Sequence, residues 1–191
     1  MLDALRRSEA KATFFVLGEQ VERHPELLQR VLDEGHAVEV HGHQHLRHPF
    51  SERDDVEQDI DRVLDRLDDH GVKPSWWRIP WGHLATFTRD LADERGLTVV
   101  GWTADTHDWR GDSAEDMLEA LPLQPGGIVL AHDGIGDGAR RETAQATAEL
   151  ITPLIEQARE RGLSPSLLTR DWPAPIPLGN PQFHPGEVHV Q

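Results

Sequence analysis

The sequence predicts an α/β fold built on a parallel sheet, either doubly wound or closed into a barrel. Two observations carry that expectation. Six short apolar segments rich in β-forming residues alternate with stretches whose apolar residues recur at helical spacing, the pattern of strands joined by helical crossovers. Four of the apolar segments end on a titratable or cationic residue, namely His41, Arg78, Asp105 and His132. In parallel α/β architectures that strand end is where loops gather ligands, so these four groups are expected to converge on one mouth.

The elements follow in order. Leu2 to Arg6 reads as a helix. Lys11 to Leu17 is a strand, followed by Gly18 and a helix with Pro25 near its start, Leu27, Leu28, Val31 and Leu32 on one stripe, and Gly35 at its C-terminal cap. Ala37 to Val40 is the next strand, and after a histidine cluster a helix enters at Ser51 with Val56, Ile60, Val63, Leu64 and Leu67 on one side. The alternation continues with strands at 75–77, 97–103 and 127–131 and helices near 88–95, 113–121 and 141–161, and a last apolar stretch lies at 166–168. Pro153 should kink or divide the long helix, with Thr152 as a new N-cap. Residues 1–171 are read as one domain, since 191 residues at 37% hydrophobic content can bury one sizeable core. Residues 172–191, with prolines at 173, 175, 177, 181 and 185, are read as an extended tail.

Composition removes several function classes. Lysine and arginine number 19 against 34 acidic residues, a formal charge of −15, which opposes binding to nucleic acid or to anionic membranes. No apolar run reaches the ~20 residues of a membrane span, and the opening residues lack the apolar core of a signal peptide. Gly134, Gly136 and Gly138 lack the dinucleotide-binding spacing and bring no P-loop lysine. There is no cysteine, so a transition-metal site must use histidine and carboxylate.

Histidine is plentiful, and His41, His43, His45 and His48 fall within eight positions. In His41-Gly-His-Gln-His45 the outer pair is four residues apart and would share one face of a helical turn. Two imidazoles so presented suit zinc or a similar divalent ion, given a third ligand and an open position. The alternatives are a solvated histidine-rich loop, or a register in which His43 or His48 takes part. In Arg78-Ile-Pro-Trp-Gly82 a fixed guanidinium could orient a carboxylate, or could form an ordinary surface ion pair. Asp105-Thr-His-Asp-Trp109 sets two carboxylates beside an indole, unless it is an acidic turn with Trp109 packed beneath. His132 ends a buried strand and must find a partner or a function; Asp105 could be that partner, its charge favouring the imidazolium.

Taken in order, from Ala12 to about Thr169, these elements resemble the polysaccharide deacetylases, carbohydrate esterase family 4, which share the NodB-homology domain. Ala12-Thr-Phe-Phe-Val16, His41-x-x-x-His45, Arg78-x-Pro-Trp-Gly82, Asp105-x-x-Asp-Trp109 and Leu130-x-His132 fall in that family's order and spacing. The resemblance implies a distorted (β/α) barrel, a divalent metal ion such as zinc on His41 and His45, and hydrolysis of N- or O-acetyl groups on a carbohydrate polymer or oligosaccharide. It also implies that His132 protonates the departing group with Asp105 tuning it, and that Arg78 holds an aspartate base. Trp109 would line the acetyl pocket, and Trp81 and Asp108 would bind substrate.

Two departures shape the expectation. Gly42 stands where the family has Ser or Thr after its first histidine. The family's first motif, Thr-Phe-Asp-Asp-Gly, which supplies the base and the third metal ligand from a strand ahead of Ala12, is not in the sequence. The chain as written is therefore expected to lack the first strand and to be hydrolytically inactive. The other readings are a non-catalytic sugar- or metal-binding relative and a hydrolase of the same fold acting on a non-sugar amide.

Overall fold

A computed structural model describes residues 1–170 and Trp172. The expected tail from residue 173 onward, together with Asp171, lies outside the described residues. The described chain falls into two compact units, one of residues 1–11 and 102–166, the other of residues 12–101 and 167–170.

The second unit holds a four-stranded parallel sheet of β1 (Thr13–Leu17), β2 (Ala37–Gly42), β3 (Trp76–Trp77) and β4 (Thr98–Val99), in that spatial order. β1 and β2 pair from Thr13 opposite Ala37 through Val16 opposite Val40, and a slip then brings Leu17 opposite Gly42. After β1 the chain forms two helices rather than one, α2 (Gly18–Arg23) and α3 (Pro25–Asp33). Pro25 is the reason: it suits the first helical position, where its missing N–H is no loss, and disfavours helical geometry at His24 before it. α4 (Arg53–Asp68) turns Val56, Ile60, Val63 and Leu67 inward, all with no exposure, against Val40 and Trp77 in the same core. Each such side chain contributes about 1.5–3 kcal/mol. α5 (Thr88–Glu94) leads into β4.

Glu39 ties the central strands by accepting the amides of Ser75 (2.7 Å) and Trp76 (2.8 Å). Burial pushes its carboxyl up, and those two amides and Arg170 pull against the rise.

The first unit holds α1 (Leu2–Arg7), β5 (Ala104–Asp105), α6 (Ala114–Ala120), β6 (Val129–Leu130) and α7 (Gln145–Glu160), with β5 and β6 paired in parallel. The single strand expected at 97–103 is thus two short ones, β4 and β5, in different sheets. No strand forms at 166–168; instead the Leu168 amide donates to the Thr13 hydroxyl at 3.0 Å. α7 runs through Pro153 without a break. Its inward stripe of Thr147, Leu150, Ile151 and Ile155 is buried, and this packing outweighs one lost helical hydrogen bond. Thr152 does not cap a new helix; its hydroxyl bonds that of Ser8 at 3.3 Å. Among the described residues no helix is long and apolar enough to cross a membrane.

Candidate active site

The four clustered histidines separate into two pairs. His48 is in the core, its ring 5.3 Å from that of Trp77 and its Nδ1 3.1 Å from the Thr88 hydroxyl. Burial pushes it down to about 4, so it stays a neutral imidazole. His43 is also buried and packs closely enough on Gly18 that a side chain there would strike its ring. His41 and His45 are the accessible pair, with ring centroids 5.0 Å apart. His41 Nδ1 lies 2.6 Å from the Arg78 carbonyl oxygen. A carbonyl can only accept, so Nδ1 carries a proton.

What holds this loop is a carboxylate on α4. Asp59 accepts the amides of His43 (2.8 Å) and Gln44 (2.7 Å). Burial pushes its carboxyl up, and the two amides and nearby cations oppose the rise. The bend it stabilises passes through Gly42 at φ +135°, where an added Cβ would meet Asp59 Oδ2 and the Gln44 carbonyl at 2.8 Å each. Serine or threonine could not stand at position 42 in this backbone, which accounts for the departure from the resembled pattern.

Trp81 closes the other side of His45. Its backbone is left-handed (φ 63°, ψ −3°), a conformation a bulky side chain rarely adopts. The indole N–H donates to the His45 carbonyl at 3.3 Å, and the two rings lie 4.9 Å apart. Arg78 is buried, with its guanidinium 4.1 Å from the Phe15 ring centroid and one N–H on the Gly101 carbonyl at 3.3 Å.

In the other unit, Asp108 is the centre of a buried network. Its side chain has no exposure. It accepts His132 Nδ1 (2.8 Å), the His132 amide (2.8 Å), the Thr147 hydroxyl (2.8 Å) and the Arg141 guanidinium (3.1 Å). Burial alone would push the Asp108 carboxyl up. The hydrogen bond and charge of His132, its amide and Thr147 outweigh burial and hold it down to about 2. Arg141 also binds the carbonyls of His132 and Gly134 at 2.9 Å each, and its guanidinium contacts the Thr147 hydroxyl.

This corrects two expectations. The carboxylate on His132 is Asp108, whereas Asp105 accepts the amide of His107 at 2.8 Å and closes its own turn. Asp108, being fully buried beneath His132, cannot bind substrate directly. Between the two aspartates stands His107, whose φ of 50° is left-handed. Trp109 is half-buried, with the guanidinium carbons of Arg110 and Arg140 at 5.2 and 5.9 Å from its ring.

The sequence profile of the polysaccharide deacetylases matches residues 1–100. The chain belongs to the polysaccharide deacetylase family. A peptidoglycan-N-acetylglucosamine deacetylase of Bacillus cereus is 29% identical over 85% of the chain, and a second from that organism is 33% identical over 82%. The chain spans 58% of the first relative's length and 75% of the second's. The crystal structure of the Bc1960 peptidoglycan N-acetylglucosamine deacetylase superposes with a TM-score of 0.81 at 28% identity, covering 87% of this chain and 77% of that one. The expected α/β fold of the polysaccharide deacetylase type is borne out.

Three residues of this family member were not singled out from sequence: Asp59, Arg141 and Thr147. Two of them carried a signal. Asp59 sits within the apolar stripe of α4 and Thr147 at the head of the buried stripe of α7, and a polar residue on a buried face must have a partner. Arg141 had no such mark.

Proposed function

We propose that the chain acts as a hydrolase removing N- or O-acetyl groups from a polysaccharide, with a divalent metal ion, zinc by its ligand type, on His41 and His45. The observation that supports this reading most is Asp108, ionised and out of solvent, gripping Nδ1 of His132 at 2.8 Å. An imidazole so held keeps one proton on Nδ1 and has only Nε2 free to give or take another. The relatives named above act on N-acetylglucosamine in peptidoglycan, which supports an acetylated glycan as the substrate class.

The donor set at His41 and His45 fits a metal in part. The Arg78 carbonyl fixes the His41 tautomer in the way that orients metal-binding imidazoles. Among the described residues no group of three or more His, Asp or Glu side chains is placed to hold an ion, so a third ligand must come from elsewhere. When bound, the ion would supply polarisation of the acetyl carbonyl. His132 would deliver the Nε2 proton to the departing amine or hydroxyl, with Asp108 holding the ring. Trp109 would line the acetyl pocket, and Arg78 would orient an aspartate base of the Thr-Phe-Asp-Asp-Gly type.

That motif is absent from the 191 residues, and losing a general base costs about 10²–10⁴-fold in turnover. We therefore expect little acetate release from the 191-residue chain, and much more from the same chain preceded by a Thr-Phe-Asp-Asp-Gly strand. In the extended protein, His132→Ala should lower kcat about 10²–10⁴-fold with little change in KM. Turnover retained with only KM raised would show His132 to be a binding group and overturn the assignment.

A further inference from the structure

Arg47 stands apart from most arginines of its unit. Arg30, Arg53, Arg62, Arg66 and Arg95 each hold a carboxylate within 4 Å. Arg47 is exposed and, among the described residues, forms no ion pair, although acidic residues outnumber basic ones 34 to 19. Its guanidinium carbon lies 3.7 Å from the Trp81 ring centroid, and that indole is itself 4.9 Å from the His45 ring. The charge is felt locally, since burial and Arg47 together push His83 down.

The stack has a physical consequence. A guanidinium this close to an indole gains a cation–π contact, which engages no hydrogen-bond acceptor for its N–H groups. A fixed planar fork of that kind matches a carboxylate, taken through two parallel hydrogen bonds. The position is one ring removed from His45, where the reacting acetyl group would sit on the function proposed above. A chain of charge −15 repels acidic polymers at long range, but at physiological salt that field is screened within about 8 Å, and a nearby unneutralised cation decides. Trp109 in the other unit has the same company, Arg110 and Arg140, again without ion pairs among the described residues.

We propose that Arg47, held against the Trp81 ring, is a specificity-determining residue that takes a carboxylate borne by the glycan, so that this chain prefers acidic over uncharged acetylated sugar polymers. Trp81 on this view orients the arginine and does not itself stack the sugar. The inference rests on the deacetylase reading only for what the site does after binding.

The test measures binding, by tryptophan fluorescence and calorimetry on the 191-residue chain. The ligands are a matched pair: uncharged β-1,4-linked N-acetylglucosamine oligomers, and oligomers of equal length in which alternate sugars carry a lactyl carboxylate. The parent should bind the acidic oligomer roughly 5–10-fold more tightly, as one well-placed ion pair allows. Arg47→Met should bring the ratio to about one without weakening the uncharged ligand, and Arg47→Lys should restore part of it. Arg89→Met removes the same charge from exposed α5 and should leave the ratio alone.

An unchanged ratio in Arg47→Met, an equal loss in Arg89→Met, or no binding of either ligand by the parent would each overturn the proposal. Acetate release reports separately. A preference abolished by Arg47→Met, with no acetate released even by the chain preceded by a Thr-Phe-Asp-Asp-Gly strand, would sink the deacetylase reading and keep this one; acetate release by that extended chain with no preference would do the reverse.

Discussion

Asp108→Asn tests the buried network because it preserves shape while removing charge. The parent carboxyl is held down from 3.8 to about 2, a gap worth on the order of 2–3 kcal/mol of folding stability by linkage. The sign follows from the direction: a folded value below the unfolded one means the stabilisation is complete above about 3.8 and is lost as pH falls through about 2. Asparagine also strands Arg141, whose side chain is 5% exposed and whose charge is then unpaired. Breaking a buried pair from one side costs about 3–5 kcal/mol. Urea unfolding at pH 7 should therefore show a loss of about 2–5 kcal/mol. Adding Arg141→Met should recover part of it, with a coupling of at least ~0.5 kcal/mol. A loss below ~0.5 kcal/mol, the range of an ordinary surface change, would refute the claim that this carboxylate is an ionised keystone. So would an acid limb that keeps the parent's shape in the variant.

Two further outcomes are expected. His41→Ala and His45→Ala should each weaken zinc affinity by at least ~10–100-fold in a chelator competition, since disturbing even an outer partner costs that much; parent-like binding by both would remove the metal assignment. His48 is neutral in the fold at about 4 against 6.5 for a free imidazole, so its contribution is present above 6.5 and fades as pH falls toward 4. The parent should lose about 3 kcal/mol across that window from this group, and His48→Gln should show a shallower acid slope; identical slopes would place the proton elsewhere.

The helices and most strands were legible because burial imposes a period on the sequence. Val56, Ile60, Val63 and Leu67 announced α4 and its inward face. Which histidines of the cluster are accessible was left open by spacing alone, because the choice depends on a bend at Gly42 that Asp59 holds from a helix seventeen residues on. A similar limit hid the partner of His132. Asp105 and Asp108 are equivalent by composition, and spacing does not show the left-handed His107 that stands between them. At Pro153 and at 97–103 the local rule was sound but incomplete. A buried stripe carried α7 through its proline, and a continuous apolar run served two sheets.

His41 and His132, proposed above as metal ligand and general acid, share one feature and differ in another. In both, Nδ1 is tied at short range. His41 is tied to a neutral carbonyl, which places a proton on Nδ1 without adding charge, the arrangement a cation on the proposed site would require. His132 is tied to a carboxylate that four donors keep ionised, so the two rings have partners of different charge. On the proposed roles, a neutral partner suits a ring that binds a cation, and a carboxylate suits a ring that passes a proton. The proposed division of labour between ligand and acid thus rests on what each Nδ1 touches.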